Sequence, residues 1–273
     1  MRRMFPTELV YQVFSLLVAF IIVHAIYVAI IRPNADAFIA EEVARFQIDK
    51  NATPRRSVYV VLKDYEQESC FVLLLWATAI LGYKGVNTWR QERHLNLDLV
   101  GLPADARVTA ETTRQASELI RRRLPETMHD WLLPRVLLAA IDRFAATGNI
   151  QDASDVVVSL CDTEADRRES ELSIIRYIAW AIPSIGFIGT VRGIGDALAQ
   201  AHRAVEGDIT GVTQSLGVAF NSTFIALMIS IVLMFMIHQI QLMQDRLVLD
   251  TRRYCDDWLI RRLSTQAPPP SGA

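Results

Sequence analysis

The sequence predicts an all-α, polytopic membrane protein with four transmembrane helices and a helical region between the second and third. Three observations predict it. The 273 residues are 51% hydrophobic with a mean hydropathy of +0.22, and the apolar residues are gathered in blocks. The blocks are long enough, since about 20 apolar residues rising about 1.5 Å each cross a hydrocarbon core of roughly 30 Å. The stretches between them carry charge, proline and glycine, which suit water and break helices.

The first block, Val10–Ile31, is interrupted only by Gln12, Ser15 and His24, and Arg2 and Arg3 precede it. It exceeds a signal-peptide core and ends without a small-residue cleavage site, so it is expected to be a retained anchor. Arg32-Pro33-Asn34 is expected to end the helix, giving a first segment of residues 1–33. Residues 34–69 form a mixed-charge stretch, expected outside, with short amphipathic pieces at Phe38–Ile48 and Val58–Leu62. The second span, Cys70–Val86 (segment 70–86), is shorter. Lys84 is expected to snorkel at its end, and Trp76, Tyr83 and Trp89 add aromatic anchoring.

Residues 87–172 hold 11 arginines and no block able to cross a bilayer. They are expected to be a cytoplasmic helical region with helices near Thr109–Arg123 and Pro134–Thr147, punctuated at Pro103, Pro125 and Gly148-Asn149. Two spans follow, Ile174–Leu198 and Val212–Ile240, joined by the polar link His202–Asp208; together they make segment 173–240. In segment 241–273, Gln241–Leu263 is expected to continue the last helix into water, and Gln266–Ala273, with three prolines, to be a disordered tail. Four spans put both termini on one side. The arginines of 90–168 and 246–262 favour the cytoplasm for it.

Several function classes are excluded. A net charge of −2 gives no electrostatic footprint for nucleic acid. Cys70, Cys161 and Cys255 match no metal or redox spacing and are expected to be free thiols. No zinc-protease, phosphate-loop or nucleophile-elbow motif is present, and the glycines of 186–195 lie inside an apolar helix, so no enzyme and no cofactor is expected.

The third span places Gly186, Gly189/Thr190 and Gly193 at i, i+3/i+4 and i+7, on one helix face. In lipid such a stripe admits another backbone closely, because packing drives association there. The fourth span repeats the pattern with Ser215, Ala219, Ser222 and Ala226, and adds Asn221, Thr223 and Ser230. A hydroxyl can satisfy itself on its own helix, but an amide in hydrocarbon needs a partner. Two such faces in succession suggest either a tight helix pair or a wall around something polar.

The strings Pro183-Ser184-Ile185-Gly186-Phe187-Ile188-Gly189-Thr190-Val191, Ala219-Phe220-Asn221-Ser222-Thr223 and Ala226-Leu227 resemble the MotA/TolQ/ExbB proton-channel family over about residues 165–245. The resemblance implies a proton-conducting (or sodium-conducting) subunit of an ion-motive-force-driven stator or energy-transducing complex in the bacterial inner membrane. It implies a homopentamer around two copies of an ExbD/TolR/MotB-like single-span subunit carrying a membrane aspartate. It also implies that Thr190 and Thr223 line the ion pathway, with Asn221 a further lining candidate. Gly186, Gly189, Gly193 and Ala219 would provide helix packing at the partner.

Three positions depart from the family pattern. Val218 stands where transport members carry a glutamate, Ala226 replaces a glycine, and Arg192 follows the Thr-Val pair. Arg192 is expected to pair with Asp196, one helical turn on, and His24 to hydrogen-bond a neighbouring helix. No carboxylate lies in the central part of the last two spans, and hydroxyls alone hold no charge, so a proton carrier is expected from a second polypeptide. The alternative is a non-conducting membrane scaffold that organises cell-envelope proteins through residues 87–172. A secondary transporter would need an inverted repeat that four spans do not supply.

Overall fold

The computed structural model describes residues 7–48, 55, 57–95, 113–123, 125 and 128–264, and every regular element among them is helical. Residues 1–6, the first part of the 109–123 stretch and the 266–273 tail lie outside the described residues. The helices are α1 (Thr7–Ile26), α2 (Arg32–Ile48), α3 (Val58–Leu62), α4 (Tyr65–Leu95), α5 (Thr113–Arg123), α6 (Leu132–Thr147), α7 (Ile150–Glu171), α8 (Ser173–Ala199), α9 (Ala201–Val205) and α10 (Thr210–Trp258). Four helical runs are long and apolar enough to cross a membrane, and each contains one expected span. The chain forms two compact units, Met1–Gly82 with Ser173–His238, and Tyr83–Leu172 with Gln239–Ala273.

The first unit holds the apolar spans. Their outward faces carry Phe14, Ile21, Trp180, Phe187, Phe224, Ile231 and Phe235, all exposed on the single chain. An apolar surface this extensive is costly in water and suits lipid or neighbouring subunits. The first two spans are tied by polar atoms as well as by packing. Trp76 donates from Nε1 to the Gln12 carbonyl at 2.9 Å, and the Tyr11 hydroxyl donates to the Ala79 carbonyl at 3.1 Å.

One expected boundary is wrong. Arg32-Pro33-Asn34 does not end the first helix, because a π turn at Tyr27–Ile31 connects α1 directly to α2. Proline ordinarily breaks a helix by removing one amide and pushing its ring against the carbonyl four residues back. Here the hydrogen bond steps out by one residue, with the Arg32 amide donating to Tyr27 O. The widened turn relieves that clash. Asn34 Nδ2 also donates to Ile30 O at 2.6 Å, supplying a side-chain donor to the disturbed turn.

Pro183 is a second proline inside a helix. Its missing amide frees the Ala179 carbonyl, and Ser230 of α10 donates its hydroxyl there at 3.1 Å. The polar residue deep in the last span thus repairs a break in the third.

In the second unit, α6 and α7 form a helical hairpin. Gly148 takes the left-handed conformation (φ 65°) that ends α6, with its amide on Phe144 O at 2.8 Å. Asn149 then caps α7, accepting from the Gln151 amide at 3.0 Å. Val136, Leu137, Ile141, Phe144, Val157 and Cys161 form the core with Cys255 and Leu259 of the C-terminal segment. All three cysteines are free, as expected.

Lys84 does not snorkel. It is only 7% exposed and its ammonium meets Glu171 Oε2 at 2.7 Å. A buried lysine keeps its charge most easily beside a carboxylate, and α7 provides one. Deeper in this unit Glu164 receives Arg135 at 2.7 Å and Arg168 at 2.9 Å. Burial alone would raise the Glu164 carboxyl, but the two hydrogen bonds and the charges of Arg168 and Arg167 outweigh it and hold it below the usual carboxylate range.

Candidate functional site: the crossing of the last two spans

Small residues let α8 and α10 touch backbone to backbone. A methyl group built on Gly186 would lie 2.4 Å from the Ala226 Cβ, and one on Gly193 would lie 2.8 Å from the Ser215 carbonyl oxygen. One on Gly189 would meet the Ser222 side chain at 2.6 Å. Ala219 and Ser222 are themselves fully buried. The helix that Gly186, Gly189 and Gly193 admit is therefore the chain's own last span, and Ala219 on that span packs back against Gly193.

Thr190 and Thr223 sit within this crossing. Thr190 Oγ1 is 3.1 Å from the Ala219 carbonyl oxygen, and Thr223 Oγ1 is 3.1 Å from that of Gly186. The two hydroxyl oxygens also contact each other. Each hydroxyl carries one proton and can accept others, so two protons are shared among more acceptors than they can serve at once. Such a pair can reorient its hydrogen bonds with no movement of the helices. Asn221 lies outside the crossing. It is half-buried, and its amide forms no hydrogen bond among the described residues.

The structure adds residues that the sequence reading missed. The segment Asp64-Tyr65-Glu66-Gln67-Glu68 opens the second span, and Glu66 and Gln67 bond to the same helix pair. Glu66 makes a two-pronged ion pair with Arg192, both bonds at 2.8 Å, and its Cγ lies 3.2 Å from a methyl built on Gly189. Arg192 thus pairs with Glu66, not with Asp196: a carboxylate from another helix gives the bidentate geometry that a guanidinium favours over an i,i+4 contact. Gln67 Nε2 donates to Val61 O at 3.1 Å and lies 3.4 Å from Ser222 Oγ.

Glu68 is nearly enclosed. It accepts from Arg32, and its other oxygen is 2.7 Å from His24 Nδ1. His24 therefore has its hydrogen bond to a neighbouring helix, and the partner is a carboxylate. A signal for this collar was present in the sequence, since three acids within five residues stood directly before an apolar block. Helical spacing puts Asp64, Gln67 and Glu68 (i, i+3, i+4) on one face.

Fold and site define a multi-pass helical membrane protein built around a close-packed, hydroxyl-bearing helix pair. Residues 128–253 match the model of the MotA/TolQ/ExbB proton channel family. The match reaches beyond the last two spans to take in α6, α7 and most of α10. Neither a curated protein nor a solved structure matches the chain.

Proposed function

We propose that this protein is the proton-conducting subunit of an ion-motive-force-driven complex in a bacterial inner membrane, coupling ion flow to mechanical work or transport. Thr190 and Thr223 line the ion path. The subunit assembles as a homopentamer around two copies of a single-span partner that supplies a membrane aspartate, and both termini face the cytoplasm. The observation that carries this function is the Thr190–Thr223 hydroxyl contact, set by small residues within the region that matches the family. Hydroxyls that can swap partners suit a hydrated ion path, and the missing mid-span carboxylate in α8 and α10 leaves the titratable group to the partner.

One observation favours a second function, a non-conducting scaffold. Each threonine reaches a carbonyl of the opposite helix, as it would if it served packing alone. Proton flux separates the two. In proteoliposomes holding the chain and its partner, Thr190→Val and Thr223→Val are expected to abolish flux while the assembled complex keeps its mass. Undiminished flux in both variants would sink the channel function.

A further inference from the structure

Two buried acceptors beside the crossing have no donor among the described residues. Asp64 is 14% exposed, and its Oδ2 is fully enclosed and without a partner. Gln67 is 1% exposed, and its Oε1 is likewise unpaired. A buried acceptor without a donor costs about 1–3 kcal/mol, and only a donor, a proton or a water, removes that cost.

The nearby cations do not supply it. Arg192 is committed to Glu66 by two bonds, and its Nη2 comes no closer than 3.9 Å to Asp64 Oδ1. Arg32 is committed to Glu68. The charged groups acting on Asp64 are Lys63 and Glu66 from its own strand of chain, Arg192 from α8 and Arg32 from α2. Burial pushes the Asp64 carboxyl above its ordinary range in spite of the three cations. Its place along the chain is also specific. Arg192, which it faces, lies two residues beyond Thr190, and Gln67, one turn along from Asp64, reaches Ser222 beside Thr223.

We propose that Asp64 is a proton-accepting group of this chain at the mouth of the path that Thr190 and Thr223 line. The proposal rests on the channel function above; with both termini in the cytoplasm, this mouth is the outer one. Hydronium gives its proton to the partly exposed Asp64 carboxylate and leaves as water. The neutral acid no longer needs a donor at its enclosed oxygen, and it returns the proton to water on the path as the carboxylate re-forms. Glu66 and Arg192 are positioning residues that keep the nearest guanidinium occupied.

Two measurements on the full-length chain test it. In lipid nanodiscs, infrared difference spectra are expected to show a protonated-carboxyl stretch that titrates above the ordinary aspartate value of 3.8 and vanishes in Asp64→Asn. No such band, or a band that persists in Asp64→Asn, would overturn the proposal whether or not the complex conducts. In proteoliposomes with the partner, Asp64→Asn is expected to lower flux on the order of 100-fold, the lower end of what a positioned proton-transfer group contributes, and to flatten its dependence on the pH of the loading side. Asp64→Glu is expected to restore both. Wild-type flux in Asp64→Asn would overturn the proposal. A wild-type complex that carries no flux, with the infrared band present, would sink the channel function and the path role of Asp64 with it.

Discussion

Ser230 donates its hydroxyl to the carbonyl of Ala179 at 3.1 Å, the group that Pro183 leaves without its helical amide. Hydrogen bonds between membrane helices are worth little on average, because competing partners are easily found. This carbonyl has few, as its own helix cannot serve it. Ser230→Ala is expected to cost about 1–2 kcal/mol, at the upper end for interhelical bonds. Restoring the amide by Pro183→Ala in the same chain should recover most of it. Thermal unfolding in detergent reads both.

The glycines of α8 divide into two kinds. Gly186 and Gly193 press on Ala226 and on the backbone at Ser215 and Ala219, whereas a methyl group on Gly195 meets nothing within 4 Å. Gly186→Ala and Gly193→Ala are each expected to destabilise by about 1–3 kcal/mol through overpacking. Gly195→Ala should be neutral or stabilise by up to about 1 kcal/mol through helix propensity. A melting series on the three variants checks the order.

Acid should weaken the second unit in a defined window. Glu164 and Glu171 both titrate below their ordinary value of 4.5 in the folded chain: burial opposes this, and the hydrogen bonds and charges of Arg135, Arg167, Arg168 and Lys84 override it. A depressed folded value means stabilisation that is complete above pH 4.5 and lost as pH falls through the folded value. Denaturant unfolding followed from about pH 7 to about pH 3 should show the loss, and Glu164→Gln should flatten it.

Lys84 depends on Glu171. Removing one member of a buried pair strands the other, so Glu171→Ala is expected to cost about 3–5 kcal/mol, reduced here by the partial exposure of Glu171. The double variant Lys84→Met, Glu171→Leu should regain most of that stability, since nothing charged remains buried. Melting temperatures of the single and double variants decide it.

The four spans were legible because length and hydropathy alone determine which segments can cross a bilayer, and the small-residue stripes were legible because a helix projects them by spacing. The end of the first helix was not, because Pro33 breaks a helix only when the preceding turn is α, and nothing local announces a π turn. Arg192 was assigned to Asp196 by the same limit: i,i+4 spacing is visible in one segment, while Glu66 lies 126 positions away. Asp64, Gln67 and Glu68 were read as part of a loop. Their value comes from which helix they face, and that is a property of the packed spans.

The π turn also sets a phase. In an uninterrupted α-helix, residues eight apart point about 80° apart, and His24 and Arg32 could not readily serve one carboxylate. One extra residue in the turn makes them behave as though seven apart, within about 20° of each other. Both then reach Glu68. The same slip keeps Ala19, Val23, Tyr27, Ile31 and Ala35 buried in a run of four-residue steps that an ordinary helix would unwind around its axis. The first helix therefore works as a spliced rod whose two lengths are indexed against the second span by a single inserted residue. Deleting any one residue of the splice would turn α2 by roughly a quarter of a revolution against α1 and leave Glu68 with one of its two partners.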